Sequence, residues 1–244
     1  MPPASDVRRL TARSVVLSVL LGAHPASAAS AELIRLTADF DIKEQALRVA
    51  LTRMVSAGDL ERCADGYRLA DRLLKRQRHQ DAAIDPKVRP WDGSWTTAVV
   101  TTVGADARSR AELRNELIRN RFGELREGLW MRPDNLGADL PAEISAHVRV
   151  MSCRDDDPAQ LAAQLWDLSG WAETAQRLLV EITTAADIPG RFTAAAAIVR
   201  HLLADPVLPV ALLPAHWPGD ALRQAYADFA AELVARRDDS MEET

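Results

Sequence analysis

The sequence predicts an α+β chain in three parts, with helices at both ends and a small sheet between them. Three observations support this prediction. The first third has apolar residues at helical spacing, followed by an alternating pattern centred on a glycine. The middle third has β-branched runs separated by a polar helical pattern. The last third returns to helical spacing and is interrupted by four prolines in sixteen residues.

Charge is distributed unevenly along the chain. The 244 residues carry a net charge of −5, yet residues 1–80 hold 13 Lys/Arg and 9 Asp/Glu, a net of +4. Only this first third therefore suits a polyanion such as DNA. No apolar run approaches the ~20 residues of a membrane span. The two isolated cysteines and scattered histidines favour reduced thiols, no metal or other cofactor, and a cytoplasmic protein.

The start of the chain allows two interpretations. Arg8 and Arg9, an apolar stretch over residues 15–23 and an Ala-Ser-Ala site at residues 26–28 imitate a secretory signal. We favour a first helix with Thr11 as its N-cap, because the following segments need that helix to bury their apolar faces. Its inward residues would be Val15, Leu17, Leu20 and Leu21.

A helix-turn-helix pattern follows. A short helix from Ser30 precedes a second helix, which opens with Asp41 and Glu44 as a capping box after a three-residue turn and ends at Gly58. Four residues share the apolar face of the second helix: Leu47, Ala50, Leu51 and Met54. The opposite face carries Gln45, Arg48, Val49, Thr52 and Ser56.

Residues 60–69 alternate between apolar and polar on both sides of Asp65-Gly66, which predicts a β-hairpin. A hairpin directly after such a helix is a wing, and its arginines would lie near a DNA backbone. An ordinary core stripe with solvated arginines is the alternative. The ordered series of helices and hairpin, on the basic part of the chain, favours a DNA-binding winged helix-turn-helix.

The polar face predicts how DNA would be read in the major groove. Gln45 can bond adenine, Arg48 can bond guanine, and Val49 or the Thr52 methyl can contact thymine. Lysine and arginine side chains at the helix edges and on the wing would hold phosphates. The expected DNA-binding residues are Lys43, Gln45, Arg48, Val49, Thr52, Arg53, Arg62 and Arg68, with Arg72 beside the wing.

The middle third has the order of a ferredoxin-like domain. A charged stretch from Leu73 with two prolines predicts a linker. Strand, helix, strand, helix and strand patterns then follow over residues 95–103, 105–120, 123–131, 141–148 and 148–153, with Ser109 and Glu112 as a second capping box. Asp106 follows the first strand, where a metal-dependent nucleic-acid hydrolase would need a carboxylate. Its competing interpretation is a helix cap, which we favour because no second acid or histidine is suitably spaced.

Three helices are predicted in the last third, over residues 158–187, 190–204 and 220–237, the third capped by Asp220. The resulting domain boundaries are 1–80 for the winged helix, 81–92 for a linker, 93–154 for the ferredoxin-like domain and 155–244 for the helical domain.

Several motifs are distributed in order along the chain: "TARSVVLSVL", "RVALTRMVSAGDL" with "GYRL", "WDGSW", "RFGELREGLWMRP", "LWDL" and "DPVLPVALLPAHWPGDAL". Together they resemble the PaaX-type transcriptional repressors of bacterial phenylacetate catabolism. The resemblance implies a cytoplasmic, dimeric repressor with a winged helix, a central domain like the small CRISPR-associated nucleases and a helical C-terminal domain. It implies operator contacts by Arg48, Thr52, Arg53 and Gln45, and release by an acyl-CoA such as phenylacetyl-CoA.

One departure concerns the effector. After "LWDL" the family has a Tyr and then a Phe, where this chain has Trp171 and four further residues that match neither, which leaves a different effector possible. An acyl-CoA needs cations for its phosphates and an apolar slot for its acyl group. The candidates are Arg108, Arg110, Arg114, Trp130, Arg132, His201 and Trp217; solvated or Glu-paired arginines are the alternative.

Overall fold

The computed structural model describes residues 10–102, 104, 106–137 and 140–238. They form two compact units. The first contains the described residues up to 81, residues 180–197 and those from 224 onward; the second contains residues 82–179 and 198–223. The unit boundaries fall inside helices of the C-terminal third, so they differ from the three-domain division, which stays a prediction.

The first unit contains a winged helix-turn-helix. Its helices are α1 (Ala12–Gly22), α2 (Ser30–Ala38), α3 (Glu44–Ser56) and α4 (Asp71–Ile84). Its antiparallel sheet has the order β1-β3-β2, made by β1 (Ser27–Ala29), β2 (Leu60–Arg62) and β3 (Gly66–Leu69). The predicted hairpin about Asp65-Gly66 is thus confirmed.

Helix α1 is a core element, as predicted. The Thr11 hydroxyl accepts from the Ser14 N–H at 3.2 Å, which satisfies a free donor at the helix start. The predicted inward residues are all buried, and Val16 is buried with them. Val16, Leu17, Leu20 and Leu21 pack against α2, α3 and the small sheet in one apolar cluster. Arg8 and Arg9 of the signal-like interpretation lie outside the described residues.

The turn between α2 and α3 differs from its prediction. It covers residues 39–43 rather than three residues, and the N-cap of α3 is Lys43, so the Asp41–Glu44 capping box is wrong. Asp41 has φ 59, a left-handed conformation that Asp tolerates better than most residues, and its N–H bonds the Ala38 carbonyl at 3.0 Å to close α2. Gly58, with φ +68, follows the end of α3 as predicted.

Strand β1 was not predicted. It has three residues, and it pairs with β3 so that Ala28 faces Tyr67. A Cβ atom on Gly66 would lie 2.2 Å from the Ala28 carbonyl oxygen, so this close approach requires glycine.

The predicted linker from Leu73 is partly helical, because α4 extends to Ile84. Gln77 is buried on this helix, and its side-chain amide donates to the carbonyls of Leu20, Leu21 and Ala23, most closely to Ala23 at 2.8 Å. The charged residues of α4 made its composition resemble a linker.

Segments of three C-terminal helices complete the first unit: α8 (Leu168–Thr184), α9 (Ile188–Leu202) and α10 (Gly219–Asp238). Phe40, in the turn between α2 and α3, contacts Phe192 with ring centroids 4.9 Å apart. Arg191 and Glu232 pair through two hydrogen bonds of 2.6 and 2.8 Å. Helix α9 therefore contacts the turn of the helix-turn-helix through Phe192 and is joined to α10 through Arg191.

The second unit contains the ferredoxin-like sheet, as predicted. Its elements are β4 (Trp95–Val100), α5 (Ala107–Arg119), β5 (Gly123–Arg126), β6 (Leu129–Pro133), α6 (Ala142–Ser145) and β7 (Val148–Cys153), and the antiparallel order is β5-β6-β4-β7. The single strand predicted over residues 123–131 is a hairpin, because Gly128 with φ +77 makes a turn. The helix predicted over residues 141–148 is shorter in the structure, where only α6, Ala142–Ser145, is helical.

The remainder of the second unit contains helices and the proline-rich stretch. The single helix predicted over residues 158–187 is divided into α7 (Pro158–Leu165) and α8, because the chain becomes extended at Trp166. A single 3-10 turn, Val210–Leu212, lies in the proline-rich stretch. None of the described helices is long and apolar enough to cross a membrane.

Candidate nucleic-acid interface

Helix α3 presents one polar face to solvent. Its inward residues Leu47, Leu51 and Met54 are buried in the core of the first unit, while Ala50 is half-buried. The opposite face is exposed at every position named from the sequence: Gln45, Arg48, Val49, Thr52 and Ser56. The helical spacing therefore predicted the outward face, and this face is available to a partner.

Two outward side chains are held by local bonds. The Arg48 guanidinium donates to the Glu44 carboxylate through Nε at 2.9 Å and Nη2 at 2.5 Å. An exposed pair of this spacing contributes only about 0.3–0.5 kcal/mol, so a stronger acceptor can replace Glu44. The Thr52 hydroxyl donates to the Arg48 carbonyl at 3.0 Å, which leaves its methyl for apolar contacts.

An open groove of about 680 Å³ runs beside α3, which we call the α1–α3 groove. Small apolar side chains form much of its lining, with Arg13, Lys43 and Arg53 as its cations and Asp59 as its acid. The groove also includes Gln45 and Val49, so it is continuous with the outward face of α3.

The wing carries the other predicted cations. Arg68 donates to the Glu61 carboxylate at 3.0 and 2.6 Å, and this hydrogen bond raises the pKa of Arg68. The Arg62 guanidinium lies 6.0 Å from the Tyr67 ring centre. Arg72 has a structural contact as well, because its Nε donates to the Gly58 carbonyl at 2.7 Å, beyond the end of α3.

Sequence reasoning missed Asp59. This buried carboxylate accepts from Arg13 of α1 at 3.3 and 2.9 Å, and it also accepts from Arg72 of α4. An acid directly after the glycine that ends α3 was the available signal. We call the three residues the Asp59 bracket; it joins α1, the end of α3 and α4.

Asp106 caps α5. Its carboxylate accepts from the Ser109 N–H at 2.7 Å, and this bond lowers the pKa of Asp106. The cap interpretation is confirmed, whereas Ser109 as the N-cap was wrong. No group of three or more His, Cys, Asp or Glu residues suited to a metal ion occurs in the part of the chain that the structure describes. Cys63 and Cys153 are free thiols.

The effector candidates of the second unit fall into exposed and buried sets. Arg108 and Arg110 are exposed on α5, and Arg108 donates to Glu112 at 2.9 Å. Arg114 pairs with Glu124 and lies 5.1 Å from the Trp130 ring centre.

Arg132 is buried, against the expectation of a ligand-facing cation. It donates to the Asn120 carbonyl at 2.9 Å and lies 4.8 Å from the Phe122 ring centre, and burial lowers its pKa. Trp130 is also buried. Both side chains therefore contribute to packing in this structure.

His201 and Trp217 both contact a third aromatic residue, Trp171. Their rings stack on Trp171 with centroid distances of 4.4 and 4.5 Å, and a His201 ring nitrogen lies 2.9 Å from the Trp171 carbonyl. Burial lowers the pKa of His201. Trp171 is the position at which the chain departs from the family pattern, so that departure lies within this aromatic stack.

The motif "DPVLP" has a structural explanation. Asp205, almost fully buried, accepts from the Val207 N–H at 2.9 Å and from Arg223 at 2.6 Å. Arg121 donates to the Asp205 carbonyl at 2.8 Å. Asn135 donates to the Val207 carbonyl at 2.9 Å. We call this set the Asp205 network; it fixes the proline-rich stretch, including Val207 at φ 54.

Comparisons with known proteins cover all three parts of the chain. Family models match in order: "PaaX-like protein" over residues 11–73, "PaaX protein central Cas2-like domain" over 88–161 and "PaaX-like protein C-terminal domain" over 166–243. The "Transcriptional repressor PaaX" of Escherichia coli (strain K12) is 28% identical over 211 residues, which cover 74% of this chain and 66% of that protein. The match therefore spans slightly less than two thirds of that relative.

A solved structure is closer in sequence. The "Uncharacterized protein Rv0674 from Mycobacterium tuberculosis" is 63% identical, with a TM-score of 0.86, over 95% of this chain and 99% of that one. Fold and interface together define a winged helix-turn-helix protein that also carries a ferredoxin-like sheet and a helical C-terminal region. With three consecutive family models matched, the chain belongs to the PaaX family.

Proposed function

We propose that this protein is a sequence-specific, DNA-binding transcriptional repressor of a catabolic operon. One observation carries the proposal: α3 exposes a continuous polar face beside a cationic groove and a wing, in a family that includes a transcriptional repressor. The partner is double-stranded operator DNA, and the site of action is the cytoplasm.

Base readout uses the outward face of α3 in the major groove. Gln45 recognises adenine, and Val49 with the Thr52 methyl contacts thymine. Arg48 leaves the Glu44 carboxylate and bonds guanine instead. Cations at the edges, Lys43, Arg53, Arg62 and Arg68, hold phosphates and fix the register. Specificity and affinity therefore depend on different side chains.

The operator-bound form is a homodimer. Two copies of α3 related by a two-fold axis read half-sites one or more helical turns apart, about 10 base pairs for each turn. A footprint on the upstream region of the gene should contain an inverted repeat with this spacing. Protection without such a repeat contradicts the dimeric arrangement.

The effector is an acyl-CoA of the phenylacetyl-CoA kind. Exposed Arg108, Arg110 and Arg114 offer charge for its phosphates, and His201 with Trp217 offers apolar surface near the aromatic stack. To release DNA, the effector must bind the DNA-incompetent arrangement more tightly, and we propose that it changes the spacing of the two winged helices.

Titration of the protein–operator complex tests the proposal. A labelled upstream duplex should bind in a salt-sensitive manner, and phenylacetyl-CoA should release it while free CoA does not. If neither ligand releases the duplex, the proposed effector is contradicted. If the protein binds a shuffled duplex as tightly as the upstream duplex, the proposed repressor function is contradicted. Small-angle scattering should show a changed dimer envelope with effector, and an unchanged envelope argues against the spacing mechanism.

A further inference from the structure

The Asp59 bracket holds two cations on one buried acid. The Asp59 side chain is 3% exposed, whereas the Arg13 and Arg72 side chains are 60% and 57% exposed. The bracket therefore carries one net positive charge, and that charge is presented at the surface.

The bracket holds the Arg13 guanidinium on an acid that is itself fixed in place. Asp59 itself is anchored by its backbone, because its N–H donates to the Met54 carbonyl at 2.8 Å and its carbonyl accepts from Ala70 at 3.0 Å. Arg13 donates to it through Nε and Nη2, which leaves Nη1 for a second acceptor. A guanidinium held in place loses less freedom when it binds an anion.

The bracket also adjoins the proposed reading face. Arg13 and Asp59 line the α1–α3 groove together with Lys43, Gln45 and Arg53. The groove thus has three cations, and its single acid is already bonded to two arginines. Its charge complements a chain of phosphates rather than an anionic peptide, because a duplex strand offers evenly spaced charges to cations along a groove.

We infer that the α1–α3 groove is the path of one DNA backbone strand and that Arg13 binds a phosphate there, with Asp59 as its positioning residue. This inference rests on the proposed DNA-binding function and adds a contact from α1, outside the helix-turn-helix and the wing. Arg72 supports the same carboxylate and holds the end of α3. The contact is to the backbone, so it contributes to the affinity for every sequence.

The salt dependence of binding separates a phosphate contact from a structural role. The full-length protein is titrated by fluorescence anisotropy with its own upstream duplex and a shuffled duplex, from 50 to 200 mM salt. Arg13→Gln should weaken both complexes by the same factor, about tenfold, and lower the salt slope by about 1. Arg126→Gln, an equal change of charge at an exposed position of β5, should leave the slope unchanged.

Two further variants test the positioning. Arg13→Lys keeps the charge and should keep the slope, with a weaker complex because an ammonium cannot make the two-point contact with Asp59. Asp59→Asn adds one positive charge, yet it should weaken binding because Arg13 loses its anchor. Circular dichroism melts check that each variant is folded.

The outcomes separate the two levels of the proposal. A wild-type slope in Arg13→Gln, with salt-sensitive binding by the wild type, overturns the phosphate contact and leaves the repressor proposal standing. Tighter binding by Asp59→Asn overturns the positioning role. No salt-sensitive binding by the wild type overturns both proposals.

Discussion

Two sets of arginines, one in each unit, have different roles, although the sequence does not distinguish them. In the first unit, the Arg13, Arg48 and Arg68 side chains are largely exposed, and each pairs with a carboxylate. In the second unit, Arg121 and Arg132 are buried and donate to main-chain carbonyls. An exposed arginine can exchange its partner for a ligand, whereas a buried one must keep its partner or leave polar groups unpaired.

This difference predicts a separation of effects. Changes to the buried set should lower the free energy of unfolding, and changes to the exposed set should alter DNA binding without unfolding the protein.

The largest effect should come from the Asp205 network. Asp205→Ala leaves Arg223 without its buried acid and should lower the free energy of unfolding by about 3–5 kcal/mol. Denaturant unfolding followed by circular dichroism measures it. Asp220→Ala is the matched control, because its fully exposed carboxylate lies 3.8 Å from the same Arg223. Similar losses in both variants would show that burial is not the cause.

A smaller effect is expected on the wing. Arg68→Ala removes an exposed cation that pairs with Glu61, so the fold should be retained. Binding to the upstream and shuffled duplexes should weaken about equally, by roughly two- to fivefold, because a phosphate contact carries no base information. A loss confined to the upstream duplex would assign Arg68 to base readout instead.

The smallest effect concerns pH. Burial keeps the pKa of His201 below its ordinary value of about 6.5, so the unfolded chain binds a proton at a higher pH than the folded chain. Neutral His201 therefore makes its full contribution to the free energy of unfolding above about pH 6.5. That contribution is lost as the pH falls through the folded-state pKa. His201→Gln should show a shallower loss of melting temperature below pH 6.5. An unchanged acid profile would argue against this role.

Local patterns predicted much of the first unit. Thr11 and the spacing of Val15 and Leu20 identify α1, and Asp65-Gly66 identifies the hairpin, because caps and turns depend on neighbouring residues. The outward face of α3 follows from helical periodicity alone.

The missed features depend on distant residues. Strand β1 exists because Gly66 admits Ala28, and α4 is fixed by Gln77 bonding the end of α1. Arg132 could not be recognised as buried, since its acceptor, the Asn120 carbonyl, lies on another element. Asp59 was missed for the same reason: its partners belong to α1 and α4.

A base-preference map of two matched variants tests most directly whether α3 reads DNA. Arg48 on α3 and Arg119 on α5 are exposed helical arginines paired with a glutamate on the same helix. Every base pair of the upstream site is changed in turn and binding is measured. Arg48→Ala should lose about 1–3 kcal/mol of binding free energy and the preference for one G·C pair, with an unchanged melting temperature. Arg119→Ala should keep the wild-type map of base preferences. Equal losses on all duplexes for Arg48→Ala, or the same map change for Arg119→Ala, would show that α3 is not the reading helix.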